Sequence, residues 1–230
     1  ARSLDGVPAT TRSTSLLMIN RRAIEFTVLF VILPVAIAVA PARYASPIPI
    51  LWVGAIAALL FLRQEQDLDR PTLWGLGGVL PGLPGVLLRF ACLGPLLLGF
   101  AWLMEPEHLF SLPRDEPRIW ITILIAYPLL SVIPQGIVYR TFFCHRYRDL
   151  FGNGVSMTLV AAACFAFAHV VMHRWEPVLI TLVGGIIFTS TLLRRRSGLL
   201  ADVEHALYGD LAFTLGLGVW IYTDAARQGL

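Results

Sequence analysis

Long apolar runs separated by short polar segments dominate the chain. A helix that crosses about 30 Å of hydrocarbon needs about 20 apolar residues, and seven runs approach that length. They cover residues 24–41, 48–62, 83–104, 119–143, 155–171, 177–193 and 199–222. The second and sixth runs are short and a Tyr-Gly-Asp sequence interrupts the seventh, so six to eight spans fit the pattern. The pattern predicts an all-α, polytopic membrane helix bundle with about seven transmembrane helices.

A polar segment precedes the first run and ends with the pair Arg21 and Arg22. The first run is longer than the apolar core of a typical signal peptide, which has about 7 to 15 residues. The run is therefore predicted to be a membrane span rather than a cleaved signal. This division predicts a polar N-terminal tail over residues 1–23 and a single membrane-embedded helical domain over residues 24–230.

The composition excludes a water-soluble globular domain. Hydrophobic residues make up 57% of the chain and charged residues only 14%, against about a quarter charged in soluble domains. All 18 basic residues are Arg, and they are better explained by membrane topology and specific pairing than by a polybasic patch, which argues against a nucleic-acid partner. The three cysteines form no CxxC pair, so neither a disulfide nor a thiolate metal site is predicted. The lipid bilayer is the first predicted partner.

Loop arginines are unevenly divided between the two sides of the predicted bundle. Assigning the loops alternately gives twelve Arg on one side and five on the other. Loops rich in Arg and Lys stay in the cytoplasm. The count therefore predicts that the N-terminus, the loop at Arg146 and the loop at Arg194, Arg195 and Arg196 are cytoplasmic.

Ionisable residues inside the apolar runs are the candidates for function, because each costs about 2.5 to 3.5 kcal/mol at the bilayer centre. The first of three such segments contains Gln135, Gly136 and Arg140. Pro128 and Pro134 cannot donate backbone hydrogen bonds, so the helix is expected to bend there and to leave carbonyl groups free. Gly136 and Arg140 share a helical face at i and i+4, whereas Gln135 points elsewhere.

The second segment contains His169 and His173 at i and i+4, a spacing that can chelate a metal ion. His173 stands beside Arg174 and is predicted to lie at the membrane interface. Taken alone, His169 also fits a buried structural histidine whose ring nitrogens form hydrogen bonds within the core.

The third segment has three acids and a histidine within nine residues: Asp202, Glu204, His205 and Asp210. Gly209 allows the helix to break, and Asp202 can contact His205 at i and i+3. A structural role for all four polar residues is hard to defend, although some of them could lie in the cytoplasmic headgroup layer.

These three segments, in this order, resemble the motifs of the type II CAAX prenyl endopeptidases, or CPBP (Abi) family of intramembrane proteases, and of their bacterial branch in particular. The family motifs are Glu-Glu-xxx-Arg, Phe-xxx-His and His-xxx-Asn or His-xxx-Asp. The first is similar to residues 134–147, and the whole resemblance covers about residues 118–222. The individual matches are Arg140, then Phe165 and His169, then His205 followed by Gly209 and Asp210.

The resemblance implies an intramembrane endopeptidase that hydrolyses a peptide bond near the C-terminus of a membrane-anchored or prenylated protein. In such a mechanism a glutamate activates water, while His and an amide or acid stabilise the oxyanion and the leaving amine. It needs no cofactor, whereas an alternative mechanism makes His169 and His205 zinc ligands. The implied location is the bacterial cytoplasmic (inner) membrane. The candidate site residues are Gln135, Gly136, Arg140, His169, His205 and Asp210.

The first motif differs from the family pattern at its two glutamates, whose positions are occupied by Gln135 and Gly136. Neither residue can accept a proton from water. A Glu at position 136 would also pair with Arg140. Three explanations are open: an inactive variant, a chain that uses an acid of the seventh run, or a pseudoprotease that acts as an immunity or scaffold protein. Displacing a base by 1 Å can cost about a hundredfold in rate, which favours the first and third. A transporter is a further alternative, although no repeated halves support it.

Overall fold

The computed structural model describes residues 20–40, 47–65 and 76–220. Within these ranges the chain is helical and has no strand. Six helices are long and apolar enough to cross a membrane, which confirms the helical membrane bundle. They are α1 (Asn20–Val39), α2 (Pro47–Gln64), α3 (Leu76–Met104), α4 (Pro117–Arg146), α5 (Val155–Met172) and α6 (Trp175–Arg195).

The seventh apolar run forms a shorter helix, α7 (Gly198–Thr214), of 17 residues. Its N-terminus is capped by the Ser197 side chain, which accepts a hydrogen bond from the Leu200 amide. The predicted polar tail lies mostly outside the described residues, and the predicted orientation of the bundle stays a prediction.

Helix α4 is not a regular α-helix. Two stretches, Pro128–Val132 and Ile137–Phe142, are widened into π-helical turns. The irregularity occurs where Pro128 and Pro134 remove backbone donors, as the sequence predicts. Such turns are frequent at functional sites, and here they lie on either side of Gly136.

The end of α4 is fixed to α1 by an ion pair and by aromatic packing. Arg146 donates to both carboxylate oxygens of Glu25, at 2.8 and 2.6 Å. The hydroxyl of Tyr147 donates to the same carboxylate at 3.1 Å. The Phe26 ring packs edge-on against Phe143 and Tyr147, with centroids 6.0 and 5.6 Å apart. Arg146, which the arginine count assigns to a loop, therefore has a specific partner on α1.

A second intramembrane ion pair joins α3, α6 and α7. The Glu204 side chain is fully buried. It accepts hydrogen bonds from Arg89 at 2.8 Å and from the Thr191 hydroxyl at 2.5 Å. Glu204 is thus a structural acid whose partners lie on other helices.

Replacing Arg89 with Ala is expected to lower the free energy of unfolding by about 1 to 3 kcal/mol, because the fully buried carboxylate of Glu204 loses its charged hydrogen-bond donor. Thermal unfolding of the detergent-solubilised chain measures the loss. The double variant Arg89→Ala/Glu204→Gln removes the orphaned charge and should recover most of it. An unchanged melting temperature in the single variant would show that the pair does not hold these helices together.

Candidate active site

Arg140 is almost completely buried, with 2% of its surface exposed, and it pairs with Asp202 of α7. Its Nη2 atom donates to Oδ1 of Asp202 at 2.7 Å. A charged group at this depth requires an opposite charge or a wet cavity. Asp202 therefore supplies the partner that a glutamate at position 136 would have supplied.

The absence of a side chain at Gly136 makes this ion pair possible. A Cβ atom at Gly136 would overlap Oδ1 of Asp202 and would lie only 2.7 Å from Nη2 of Arg140. Distances below 3.0 Å are essentially never seen for real Cβ atoms. A side chain at position 136 would therefore force the carboxylate of Asp202 to move from the place it occupies. The acid of the seventh run, which sequence reasoning disfavours, contacts the first motif directly.

Arg140 also contacts His205, the histidine of the third motif. Its Nη1 atom donates to Nδ1 of His205 at 3.3 Å. A guanidinium group can only donate, so Nδ1 accepts and the ring proton is assigned to Nε2. Nε2 in turn lies 3.1 Å from the hydroxyl of Tyr127 on α4. Both ring nitrogens of His205 therefore have hydrogen-bonding partners.

His169, the histidine of the second motif, lies in the tight 3₁₀ turn that ends α5. Its Nδ1 atom donates to the carbonyl oxygen of Phe165 at 2.8 Å. With the proton on Nδ1, the Nε2 atom keeps its lone pair and can accept a proton. The Phe165 ring packs against both histidines, with centroids 4.9 Å from His169 and 5.4 Å from His205. The two motif histidines thus meet on one aromatic ring.

These side chains line a cavity of about 400 Å³ between α3, α4, α5, α6 and α7. Both histidines, Tyr127 and Phe165 form part of its otherwise mostly apolar wall. A second cavity, of about 500 Å³, lies between α1, α2, α4 and α5 and includes Gln135. Phe165 and His169 line both cavities. His169 is therefore accessible from both cavities.

The remaining predicted site residues do not line the cavity that contains both histidines. Gln135 donates to Ser131 at 2.8 Å, and its buried Oε1 atom has no partner among the described residues. Gly136, Arg140 and Asp210 line neither of the two cavities. Asp210 is therefore not part of the wall of either cavity, and its role as a site residue stays a prediction.

His169 and His173, whose i, i+4 spacing could chelate a metal ion on a regular helix, do not form a regular helical face. His173 adopts a left-handed backbone with φ of 51°, directly after the 3₁₀ turn. The α-helical i, i+4 geometry that the prediction needs is therefore absent. Within the described parts of the chain, no group of three or more His, Cys, Asp or Glu is placed to hold a metal. No catalytic step is assigned to a metal here, and the zinc alternative stays a prediction.

Tyr127 is a residue of the site that no sequence motif indicates. Its hydroxyl contacts His205 across 78 positions of sequence, which no spacing rule within one helix reveals. The one available signal is a tyrosine directly before Pro128 within an apolar run, since a buried tyrosine hydroxyl usually has a hydrogen-bonding partner.

The comparisons with known proteins agree with the motif assignment. A family model described as Type II CAAX prenyl endopeptidase Rce1-like matches residues 117–209. The match begins at the start of α4 and includes Arg140, His169 and His205. No curated protein and no solved structure matches the chain. The predicted bacterial branch stays a prediction. Residues 117–209, which carry the three motifs, are therefore similar to the Rce1-like type II CAAX prenyl endopeptidase family.

Proposed function

We propose that the chain is an intramembrane endopeptidase that hydrolyses a peptide bond near the C-terminus of a membrane-anchored, prenylated protein. The observation that carries this proposal is the meeting of His169 and His205 on the wall of one largely apolar cavity. Apolar walls suit a lipid-modified peptide, while the imidazoles provide polar groups where a scissile bond could lie. The family match supports the endopeptidase class.

His169 is the proposed general base. Its Nε2 atom accepts a proton from water while the water oxygen forms a bond to the scissile carbonyl carbon. The π electrons of the carbonyl group move onto its oxygen, which becomes an oxyanion. When the carbon–nitrogen bond breaks, the carbonyl group re-forms and His169 returns the proton to the leaving nitrogen. A positioned acid and base of this kind contributes about 10² to 10⁴ in rate.

Asp202 and Arg140 are proposed as positioning residues, because neither lines the cavities. The carboxylate of Asp202 compensates the charge of Arg140 and holds it in place. Arg140 then fixes Nδ1 of His205 as an acceptor, which leaves the Nε2 proton of that ring directed towards Tyr127. In this proposal the charge of the missing glutamate is replaced by Asp202 and its role as a base by His169.

A second candidate function, binding without cleavage, is favoured by one observation. Among the described residues that line the two cavities, Glu25 is the single carboxylate, and Arg146 already binds it. A cavity without a free carboxylate could hold the same anchored peptide without cutting it, as an immunity or scaffold protein would.

The purified chain in liposomes, incubated with a farnesylated peptide and analysed by mass spectrometry, separates the two functions. The first proposal predicts cleavage near the peptide C-terminus and little cleavage of the same peptide without its farnesyl group. Saturable binding with no cleavage would support the second function and contradict the first. Absence of both binding and cleavage would contradict both. Empty liposomes serve as the control.

A further inference from the structure

Tyr127 is held against α7 at three points. The His205 Nε2 atom lies 3.1 Å from its hydroxyl, and the Phe213 ring packs against its ring at a centroid distance of 5.1 Å. The third contact is with Gly209, where a Cβ atom would overlap the tyrosine ring and lie 2.6 Å from its Cζ atom. The ring therefore fits against bare backbone, and its hydroxyl position is well defined.

The directions of the hydrogen bonds around His205 leave the hydroxyl hydrogen of Tyr127 free to donate to another group. Since Arg140 donates to Nδ1 of His205, the Nε2 atom of that ring carries the proton and donates to the Tyr127 oxygen. The hydroxyl group is then an acceptor from His205 and still has its own hydrogen to donate. Within residues 20–40, 47–65 and 76–220, His205 is the one hydrogen-bonding partner of this hydroxyl. Because Tyr127 lines the first cavity, a ligand there is the natural acceptor.

Gly209 stands at the amide position of the third motif, four residues after His205. An amide side chain at this position would need the volume that the Tyr127 ring fills. The same relation holds at Gly136, where the carboxylate of Asp202 fills the volume of the absent side chain. At both glycine positions, the volume of the absent motif side chain is thus filled by a side chain from a different helix.

From this geometry we propose that the Tyr127 hydroxyl is the hydrogen-bond donor to the scissile carbonyl oxygen, in place of an amide at position 209. This inference rests on the proposed function and deepens it. Negative charge grows on the carbonyl oxygen as water attacks, and a fixed donor stabilises that charge more than it stabilises the ground state. Acceptance of a hydrogen bond from His205 polarises the hydroxyl and strengthens its donation.

Tyr127→Phe tests this assignment because it removes the hydroxyl and keeps the ring that packs on Gly209. The expected result is a fall in kcat by about 10²-fold, typical for the loss of one oxyanion donor, with KM within about twofold. Tyr147→Phe is the matched control, since it also removes a buried hydroxyl with one hydrogen bond, but outside both cavities. It is expected to leave kcat within about twofold.

A binding measurement keeps the test independent of turnover. The probe is the farnesylated peptide with its scissile amide replaced by an anionic phosphinate, which mimics the tetrahedral intermediate. Tyr127→Phe is expected to weaken phosphinate binding by about tenfold or more and to leave the affinity for the unaltered peptide unchanged. Tyr127→Ala/Gly209→Asn, in which an amide can enter the freed volume, is expected to bind the phosphinate more tightly than Tyr127→Ala.

The outcomes separate this inference from the proposed function. If the unaltered chain cleaves the peptide and Tyr127→Phe cleaves it equally fast, the assignment of Tyr127 is overturned while the proposed function stands. If the unaltered chain binds the phosphinate but cleaves nothing, the proposed function fails, and a selective loss of phosphinate affinity in Tyr127→Phe still supports the donor. Equal loss of affinity for both peptides would show that Tyr127 only shapes the cavity, and would overturn the inference.

Discussion

Asp202→Ala is expected to lower turnover by about a hundredfold or more, and the additional change Gly136→Glu is expected to restore most of it. The single change leaves the buried Arg140 charge without a partner, which in other proteins costs about 3 to 5 kcal/mol. Arg140 then no longer fixes the His205 ring. In the double variant only a methyl group remains at position 202, so the volume of the carboxylate is free. A Glu at position 136 then pairs with Arg140 at i and i+4 in the favourable order.

Initial rates of peptide cleavage in proteoliposomes, together with melting temperatures, check this pair of variants. Gly136→Glu alone is expected to be damaging, because its Cβ atom would overlap the Asp202 carboxylate and two acids would compete for Arg140. Asp115→Asn is the control, because Asp115 is an exposed acid outside both cavities. Full turnover of folded Asp202→Ala, or a folded double variant no faster than the single one, would show that Asp202 does not replace the missing glutamate.

His169→Ala is expected to reduce kcat by about 10³-fold with KM within about twofold, because it removes the one group proposed to accept the water proton. His169 contributes a small fraction of the cavity wall, so substrate binding should persist. The measurement is the rate of cleavage at saturating farnesylated peptide.

His173→Ala is the control for this change. It removes an imidazole four residues away that lines neither cavity, and its rate should stay within about twofold of the unaltered chain. A His169→Ala variant that keeps most of its turnover would show that His169 is not the base.

The helical architecture is largely predictable because a bilayer imposes length and polarity on each span. The run at residues 155–171 becomes Val155–Met172, and the run at residues 177–193 becomes Trp175–Arg195. The third helix begins earlier than predicted, at Leu76 instead of residue 83. The Gly- and Pro-rich segment before residue 84 is typical of a connector. The regular α-helix begins at Val79, however, so Pro81 lies in its first turn, where backbone donors have no intrahelical partner.

The site is predictable only where its residues share a motif. Spacing within single helices identifies Arg140, His169 and His205, and the i, i+3 relation of Asp202 and His205 marks that acid as a possible contact. It cannot show that the Asp202 carboxylate fills the volume beside Gly136, because that contact is made between helices. Tyr127 cannot be predicted for the same reason, because its contact with His205 is also made between helices. Asp210 matches the motif in sequence but lines neither cavity.

The most direct measurement of hydrolysis at this cavity is cleavage of the farnesylated peptide by the reconstituted chain in water enriched in ¹⁸O. The account predicts one ¹⁸O atom in the new carboxyl group of the anchored fragment, and a loss of labelled product in His169→Ala but not in His173→Ala. Absence of cleavage by the unaltered chain, or labelled product formed equally fast by His169→Ala, would contradict it.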